Sequence, residues 1–510
     1  MDIQPSRSAF TERFETHDPP RIHPVWAEVL CDGDTPLAAF ARLREAGAHP
    51  FLLESVVGGE RWARYSFVGV GHRAKITGQV QDGVLALEVE AGPQFERAPA
   101  GGEGIDTLRR LLAHWRGPAV AELPRFWGGL VGVWGHDFVR TVEHLPRPHG
   151  RITAGVPAVE LVATDTLVVF DNLSQRVKVI ATACPDEEGG TDAAYDAAVA
   201  RIEAIAAVLR GHARLTELAL HGDVPFSAEP AAPWSREAHL EAVREAKSFI
   251  TAGDIFQVVL SQGFEVERGD VDLLDVYRLL RVTNPAPYMY MMQLPSATLV
   301  GASPEVLVRV DGTTRQVTVR PIAGTRPRGA DEASDKALER ELLADPKELA
   351  EHLMLVDLGR NDVGRVSVGG SVQVGERFTI ERYSRVMHIV SEVTGRLAPD
   401  LDALDALAAT FPAGTLSGAP KVRALEIIDA LEPAERGWYG GAVGYVGYDG
   451  GADFAICIRS VVARGDVLRV QAGGGIVFDS DPEAEDTECR NKASAVLRAI
   501  AMARAGRSRT

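Results

Sequence analysis

Cysteine is scarce and scattered, with four residues in 510, Cys31, Cys184, Cys457 and Cys489. No two of them form a CxxC pair, which argues against structural zinc and a disulfide framework and for a reducing compartment. Positive charge is short as well. The 54 Lys+Arg residues face 71 Asp+Glu for a formal charge of -17, so the chain carries no extended nucleic-acid surface and an anionic ligand needs a local basic pocket. No run reaches the roughly eighteen apolar residues of a membrane-spanning helix, and the opening MDIQPSRSAFTERFE lacks the apolar stretch of a signal peptide. The expected location is the cytoplasm. Internal repeats and low-complexity segments are missing too. What remains is a folded globular chain, 45% hydrophobic, long enough for two domains or one large composite.

The densest chemistry lies in GGGIVFDSDPEAEDTECRNK, residues 473–492. Gly473, Gly474 and Gly475 leave backbone without side chains, where a ligand can lie against peptide N-H groups. A helix then begins, with Asp481 as its N-cap, Pro482 in its first position, and Ala493, Val496, Leu497 and Ile500 as the buried stripe. Glu485, Glu488 and Lys492 fall along the edge of that stripe. A second acidic pair sits in DPKELAEHLMLVDLGRND, where Asp345 and Pro346 start a helix and Glu348 and Glu351 stand three apart. The run Leu353 to Leu358 is apolar nearly all round and reads as buried. Each pair has a structural alternative. Glu488 and Lys492 can form an ordinary i, i+4 ion pair, and Glu348 can close a capping box with Asp345. Together, though, two helix starts that aim carboxylates from the edge of a core make a cage for a hard divalent cation such as Mg2+.

Along the chain, FLLES (51–55), RYSFVG (64–69), HRAKITG and VLALEVE read as strands. LVATDTLVVF and RVKVIATA form a hairpin around Asp171 to Gln175, and a helix near Ala193 to Arg210 closes the first half. The proline-rich stretch 221–234 marks a boundary between residues 1–225 and 235–505. In the second half, LVGASPEVLVRV is a strand broken by a turn, YSRVMHIVSEVTG a strand with His388 inside it, and RGWYGGAVGYVGYDGGADFAICIRSVV two glycine-rich strands. A lone histidine on a strand is more often a satisfied core residue than a catalyst. FPAGTLSGAPK feeds a helix at Pro420 and so offers free N-H groups and the positive end of a dipole to an anion. The fold class is α+β, antiparallel sheets wrapped by helices.

The ordered motifs GASPE, PIAGT, KELAEHLMLVDLGRND, GTLSGAPK, AICIRS and ECRNK resemble the chorismate-utilising enzymes, and within them the large subunits of anthranilate synthases. The similarity is dense from about residue 235 to 500, and FLLES with RYSFVG extends it into the first half. The resemblance implies Mg2+-dependent amination of chorismate at C2 with ammonia, then elimination of pyruvate to give anthranilate, the first committed step of tryptophan biosynthesis.

On this resemblance, Glu348, Glu351, Glu485 and Glu488 serve the metal. Thr415, Gly418, Ala419, Tyr439, Arg459 and Gly473 to Gly475 bind substrate. Glu305 is the general acid, His388 belongs to the elimination step, and Lys492 offsets the surplus of carboxylates. Relatives that add water carry lysine where Gln257 stands, and a neutral amide cannot activate water as a base. Aminodeoxychorismate synthases typically read PIKGT and use that lysine as nucleophile, whereas Ala323 cannot attack. That synthase, and a catalytically silent tryptophan-sensing subunit, are the alternative readings. The chain has no glutaminase-type cysteine, so the resemblance implies a separate glutamine amidotransferase subunit as ammonia source. It further implies a tryptophan feedback site of Glu54, Ser55, Asn284, Pro285, Tyr288 and Met289, for which plain sheet packing is an equal account by residue type. Ala63 and Ala286 depart from the family's usual glycine and serine.

Overall fold

The computed structural model describes residues 1–16, 20–30, 33–56, 64–95, 98–145, 151–213, 215–218, 224–227, 229, 231, 234–383 and 386–507. Cys31, Ala63 and part of the boundary stretch 221–234 lie outside them. Among the described residues, 21 strands hydrogen-bond into one antiparallel network, and three more, Ile322–Pro327, Val386–Val390 and Thr379–Arg382, form a separate small sheet. Helices pack on these sheets, so the architecture is the expected α+β class.

The two halves of the chain share the network. Tyr288–Gln293 pairs with Phe51–Glu54, setting Met289 opposite Glu54, and Ala442–Gly447 pairs with Gly129–Trp134. The core follows the strands: Trp134 meets Phe454 edge-on at 4.9 Å, and Leu52 and Met289 belong to one buried cluster. Edge-to-face rings add about 0.5 to 1.5 kcal/mol to the area they bury. The sequence boundary near 225–235 therefore marks a change in composition, while strand pairing and apolar packing run across it.

Several expected elements take a different form. RYSFVG and HRAKITG belong to one strand, Tyr65–Gln81, whose register against Val159–Asp171 shifts between His72 and Ala74. YSRVMHIVSEVTG is two strands, because the chain crosses between sheets: Val386–Val390 joins the small sheet and Val393–Arg396 the large one. The glycine-rich segment after Tyr439 forms three strands, Ala442–Gly447, Ala452–Ile456 and Ser460–Arg464. Leu353 is 52% exposed, since only one stripe of the helix Pro346–Gly364 (His352, Leu355, Val356, Gly359, Val363) faces the core.

One inter-half contact carries a pH signature. Glu160, on Val159–Asp171, is buried and accepts hydrogen bonds from the Ser296 N-H at 3.0 Å and hydroxyl at 2.7 Å. Burial pushes its carboxyl up to about 7. A carboxyl whose folded pKa is raised contributes stability below its unfolded pKa and loses it as pH rises through the folded value. Glu160→Gln should therefore flatten the decline in stability between pH 5 and 8, with a difference of about 3 kcal/mol at most. Thermal melts showing the same offset between wild type and variant at both pH values would contradict this.

Candidate active site

The two acidic helices do converge. Asp345 caps Pro346–Gly364 by accepting from the N-H groups of Lys347 (3.0 Å) and Glu348 (3.3 Å), and Asp481 accepts from the Ala484 N-H at 3.0 Å at the start of Pro482–Arg507. Each helix is anchored by its apolar stripe, with Ala493, Val496, Leu497 and Ile500 all buried in the second. Glu348, Glu351, Glu485 and Glu488 consequently line one cavity of about 790 Å³. Burial raises the Glu351 carboxyl, and Glu348 on its own helix and Glu488 on the other push it further. Glu485 is likewise raised, first by burial and then by Glu488. Two of the four carboxylates have cationic partners: Glu348 takes Arg326 at 3.2 Å and Glu488 takes Lys492 at 2.6 Å.

These residues fit a hard cation. Glu485 Oε2 is buried without a hydrogen-bond partner, and an ideal Cβ on Gly474 would lie 3.0 Å from it, so the missing side chain leaves that oxygen room. Among the described residues no three His, Cys, Asp or Glu side chains are drawn together as a ready chelate.

Glu305 and His388 line the same cavity. Glu305, between the strands Thr298–Ser303 and Val306–Val310, accepts a hydrogen bond from the Thr415 hydroxyl at 3.0 Å. Burial pushes its carboxyl up to about 7, so a large share is protonated near neutral pH. His388 donates from Nδ1 to the Gly324 carbonyl at 2.9 Å, with the Thr325 hydroxyl at 3.2 Å. That bond leaves Nε2 as the lone-pair nitrogen, and burial lowers the imidazole pKa, so the ring is a neutral base. Gln257, Ala323 and Tyr439 also line the cavity.

Lys347 lines the cavity, and so does Arg459. It holds a left-handed backbone (φ 52°), and its guanidinium donates to the Lys492 carbonyl at 3.4 Å. Among the described residues no carboxylate lies within ion-pair distance of it, while burial disfavours its charge. A dehydrated guanidinium has the donor geometry to receive a carboxylate. The Lys492 ammonium, besides pairing Glu488, donates to the Gly473 carbonyl at 3.0 Å and so ties helix to glycine strand.

The glycines divide. Gly473 to Gly475 lie within Val467–Ile476, in register with Ser261, Leu260 and Val259, so the ladder takes the backbone groups on that edge. Gly473 and Gly475 line the cavity, whereas Gly474 faces Glu485. Gly418 and Ala419, expected at the substrate, pair instead with Val258 and Gln257 and are off the cavity wall. Gly418 is required there by close packing: at φ 144°, a Cβ would sit 2.2 Å from the Gln257 carbonyl oxygen. Thr415, three residues earlier, does line the cavity.

The six residues expected at a regulatory ligand also split. Glu54, Ser55, Tyr288 and Met289 line a second pocket of about 50 Å³, together with Arg125, Arg309, Tyr445 and Asp453. Asn284 and Pro285 line the large cavity. Within the second pocket Asp453 accepts from Tyr288 (2.8 Å), Arg309 (2.8 Å) and Arg125 (2.8 Å), a cluster with surplus positive charge. Glu54 holds the Tyr277 hydroxyl and Arg281 at 3.3 Å. No local pattern marks Arg125, Arg309 or Asp453, because Arg309 and Asp453 meet through the pairing of Val306–Val310 with Ala452–Ile456.

The chorismate binding enzyme family matches residues 74–498. Anthranilate synthase component 1 from Pseudomonas aeruginosa is 48% identical over 487 residues, covering 94% of this chain and 96% of that protein. The component 1 protein from Mycolicibacterium smegmatis is 47% identical over 494 residues, covering 95% and 91%. The crystal structure of anthranilate synthase component I from Streptococcus pneumoniae superposes with a TM-score of 0.73 at 36% identity, over 86% of this chain and 92% of that one. MenF, the menaquinone-specific isochorismate synthase from Escherichia coli, shares the fold at a TM-score of 0.70 and 19% identity, over 97% and 99%.

Proposed function

The chain belongs to the chorismate binding enzyme family, and on that premise we propose that it is the chorismate-converting subunit of an anthranilate synthase. The observation that carries this reading is that one cavity is lined both by Glu305, whose carboxyl burial pushes up to about 7, and by Arg459, which has no ion-pair partner among the described residues. Chorismate has two carboxylates and a C4 hydroxyl that leaves only when protonated. Arg459 and the Tyr439 hydroxyl hold one carboxylate, and the other lies toward the acidic helices. Glu351 and Glu488, supported by Glu348 and Glu485, would hold a Mg2+ ion, which would supply positive charge for that second carboxylate.

Glu305 gives its proton to the departing C4 oxygen while ammonia attacks C2. Gln257 cannot deprotonate water, and Ala323 offers no amine to compete with ammonia. His388 Nε2 then takes the ring proton as pyruvate leaves, a role its neutral tautomer allows. Lys492 limits the repulsion among the glutamates. The designation component 1 among the relatives implies a second component, to which we assign a glutamine amidotransferase that makes ammonia. A reducing compartment, the cytoplasm, suits the buried free thiols Cys184, Cys457 and Cys489. No described helix is long and apolar enough to cross a membrane.

Tryptophan as feedback inhibitor fits the second pocket. Its ammonium group suits Glu54 and its carboxylate the surplus charge of Arg125 and Arg309 around Asp453. At about 50 Å³ the pocket is too small for an indole until Tyr288 and Met289 move, and the segment they end, from Asn284, lines the catalytic cavity. Glu54→Ala should raise the tryptophan concentration for half-inhibition by about tenfold or more, the worth of one charge-assisted hydrogen bond. Unchanged inhibition would refute the placement.

The activity is tested with the purified chain, chorismate, Mg2+ and an ammonium salt, following anthranilate fluorescence and the product mixture. Anthranilate with released pyruvate supports the proposal. Accumulating aminodeoxychorismate points to the sister synthase, and inert chorismate to a sensing subunit.

A further inference from the structure

Arg436 has no place in the chemistry above, yet it is fully buried directly behind the cavity wall. The helix Lys421–Leu431 ends at Glu432, whose carboxylate takes two hydrogen bonds from Arg436, from Nε at 2.9 Å and Nη2 at 2.6 Å. The same carboxylate accepts from the Ser261 N-H at 2.9 Å and hydroxyl at 2.8 Å, so it is fixed on the strand side as well. Held in this fork, the guanidinium has donors left, and both point at segments that wall the cavity. Nη1 donates to the Leu416 carbonyl at 2.6 Å and Nη2 to the Val259 carbonyl at 2.7 Å. Val259 belongs to the strand Gln257–Glu267, and Leu416 closes the short turn Gly414–Leu416. Both line the cavity.

The turn's other bonds are Leu416 N-H to the Ala413 carbonyl (3.0 Å), Ser417 N-H to the Gly414 carbonyl (3.2 Å), the Ser417 hydroxyl to the Ala413 carbonyl (3.0 Å), and the Ser417 carbonyl accepting from Val259 N-H (2.9 Å), after which Gly418 and Ala419 pair with Val258 and Gln257; among these, no side chain from outside the turn reaches Leu416 except Arg436. Thr415, in its middle, donates the single hydroxyl hydrogen bond to Glu305. A planar, five-donor guanidinium bridges two carbonyls and a carboxylate at once, which an ammonium group at the same place cannot reproduce.

We propose that Arg436 is a positioning residue: clamped by Glu432, it staples the Gly414–Leu416 turn to the strand Gln257–Glu267 and so keeps the Thr415 hydroxyl on the Glu305 carboxyl. The proposal rests on the reading of Glu305 as the general acid. Thr415 favours the ionised carboxylate, and without its hydrogen bond Glu305 holds its proton to higher pH.

The test compares wild type, Arg436→Lys, Thr415→Val and the double variant by ammonium-dependent anthranilate formation across pH. Arg436→Lys keeps the charge Glu432 needs and loses the fork. It should lower kcat by about tenfold or more with the KM for chorismate changed less than about threefold, since the staple acts on the acid rather than on substrate contacts. Its basic limb in kcat/KM should move to higher pH by about one unit, the size of one hydrogen bond to a charged group. Thr415→Val should move the limb the same way, and the double variant no further than either single one. A basic limb unmoved in Arg436→Lys, with activity merely reduced, overturns the positioning role, as do limb shifts that add in the double variant. A wild-type chain that forms no anthranilate overturns the general-acid reading itself, and the proposal with it.

Discussion

Replacing Glu305 by glutamine should lower anthranilate formation by about 10²- to 10⁴-fold, the range a positioned general acid contributes. Glutamine keeps the shape and can still accept from Thr415, so binding should survive, with the KM for chorismate little changed and the loss in kcat. The pH dependence follows from the same group. Burial pushes the carboxyl up to about 7, and the acid works only while protonated, so wild-type kcat/KM should fall as pH rises through about 7. In the glutamine variant that basic limb should vanish, leaving a low and flat residual rate. A variant that retains the limb would assign it to another group, and one that retains the rate would remove Glu305 from the chemistry.

Removing either Glu351 or Glu488 should be comparably severe. Glu351→Ala and Glu488→Ala are each expected to lower Mg2+-dependent turnover by on the order of 10³-fold, because the charge held there is worth several kcal/mol in the reaction. Glu488→Ala also strands Lys492, whose ammonium pairs it at 2.6 Å, and so exchanges an acidic edge for a basic one. The Mg2+ concentration for half-activity, measured by titration in each variant, should rise in parallel. Wild-type Mg2+ dependence in both variants would remove the metal from these helices.

How far the site was legible depends on the kind of interaction. The acidic helices could be read because each carries a cap, an apolar stripe and a carboxylate pair at fixed local spacing, and all four glutamates do reach one cavity. Local spacing also explains the failures. Leu353 looks apolar on either face of a helix, and only the packing partner decides which face is covered; it is exposed. Gly418 and Gly474 look like ligand-facing glycines, yet one is small so that two backbones can touch and the other so that Glu485 has room. Asn284 and Tyr288 stand four residues apart and were expected around one ligand. The chain passes between two cavities there, so its ends face different chambers. The cluster of Arg125, Arg309 and Asp453 depends on pairing between strands more than a hundred residues apart and has no local signature. Glu305 and His388 were legible only through resemblance. What gives them their chemistry is burial for the first and the Gly324 carbonyl for the second, neither of which sequence spacing encodes.

The pH behaviour of fold and site should be separable. Glu160 and Glu305 both rise to about 7 through burial, one in the inter-half packing and one in the cavity. Stability should therefore decline as pH rises from about 5 to 7, and activity as pH rises through and beyond about 7. Glu160→Gln should relieve the first decline and leave the second in place.

The most direct measurement is a crystal structure of the chain with Mg2+ and a non-reactive, doubly carboxylated chorismate analogue. The account predicts one ion between Glu351 and Glu488, touching one carboxylate of the analogue, with the other carboxylate on Arg459 and the C4 substituent within hydrogen-bond reach of Glu305. An analogue seated elsewhere, or an ion absent while the four glutamates turn toward bulk solvent, would contradict it.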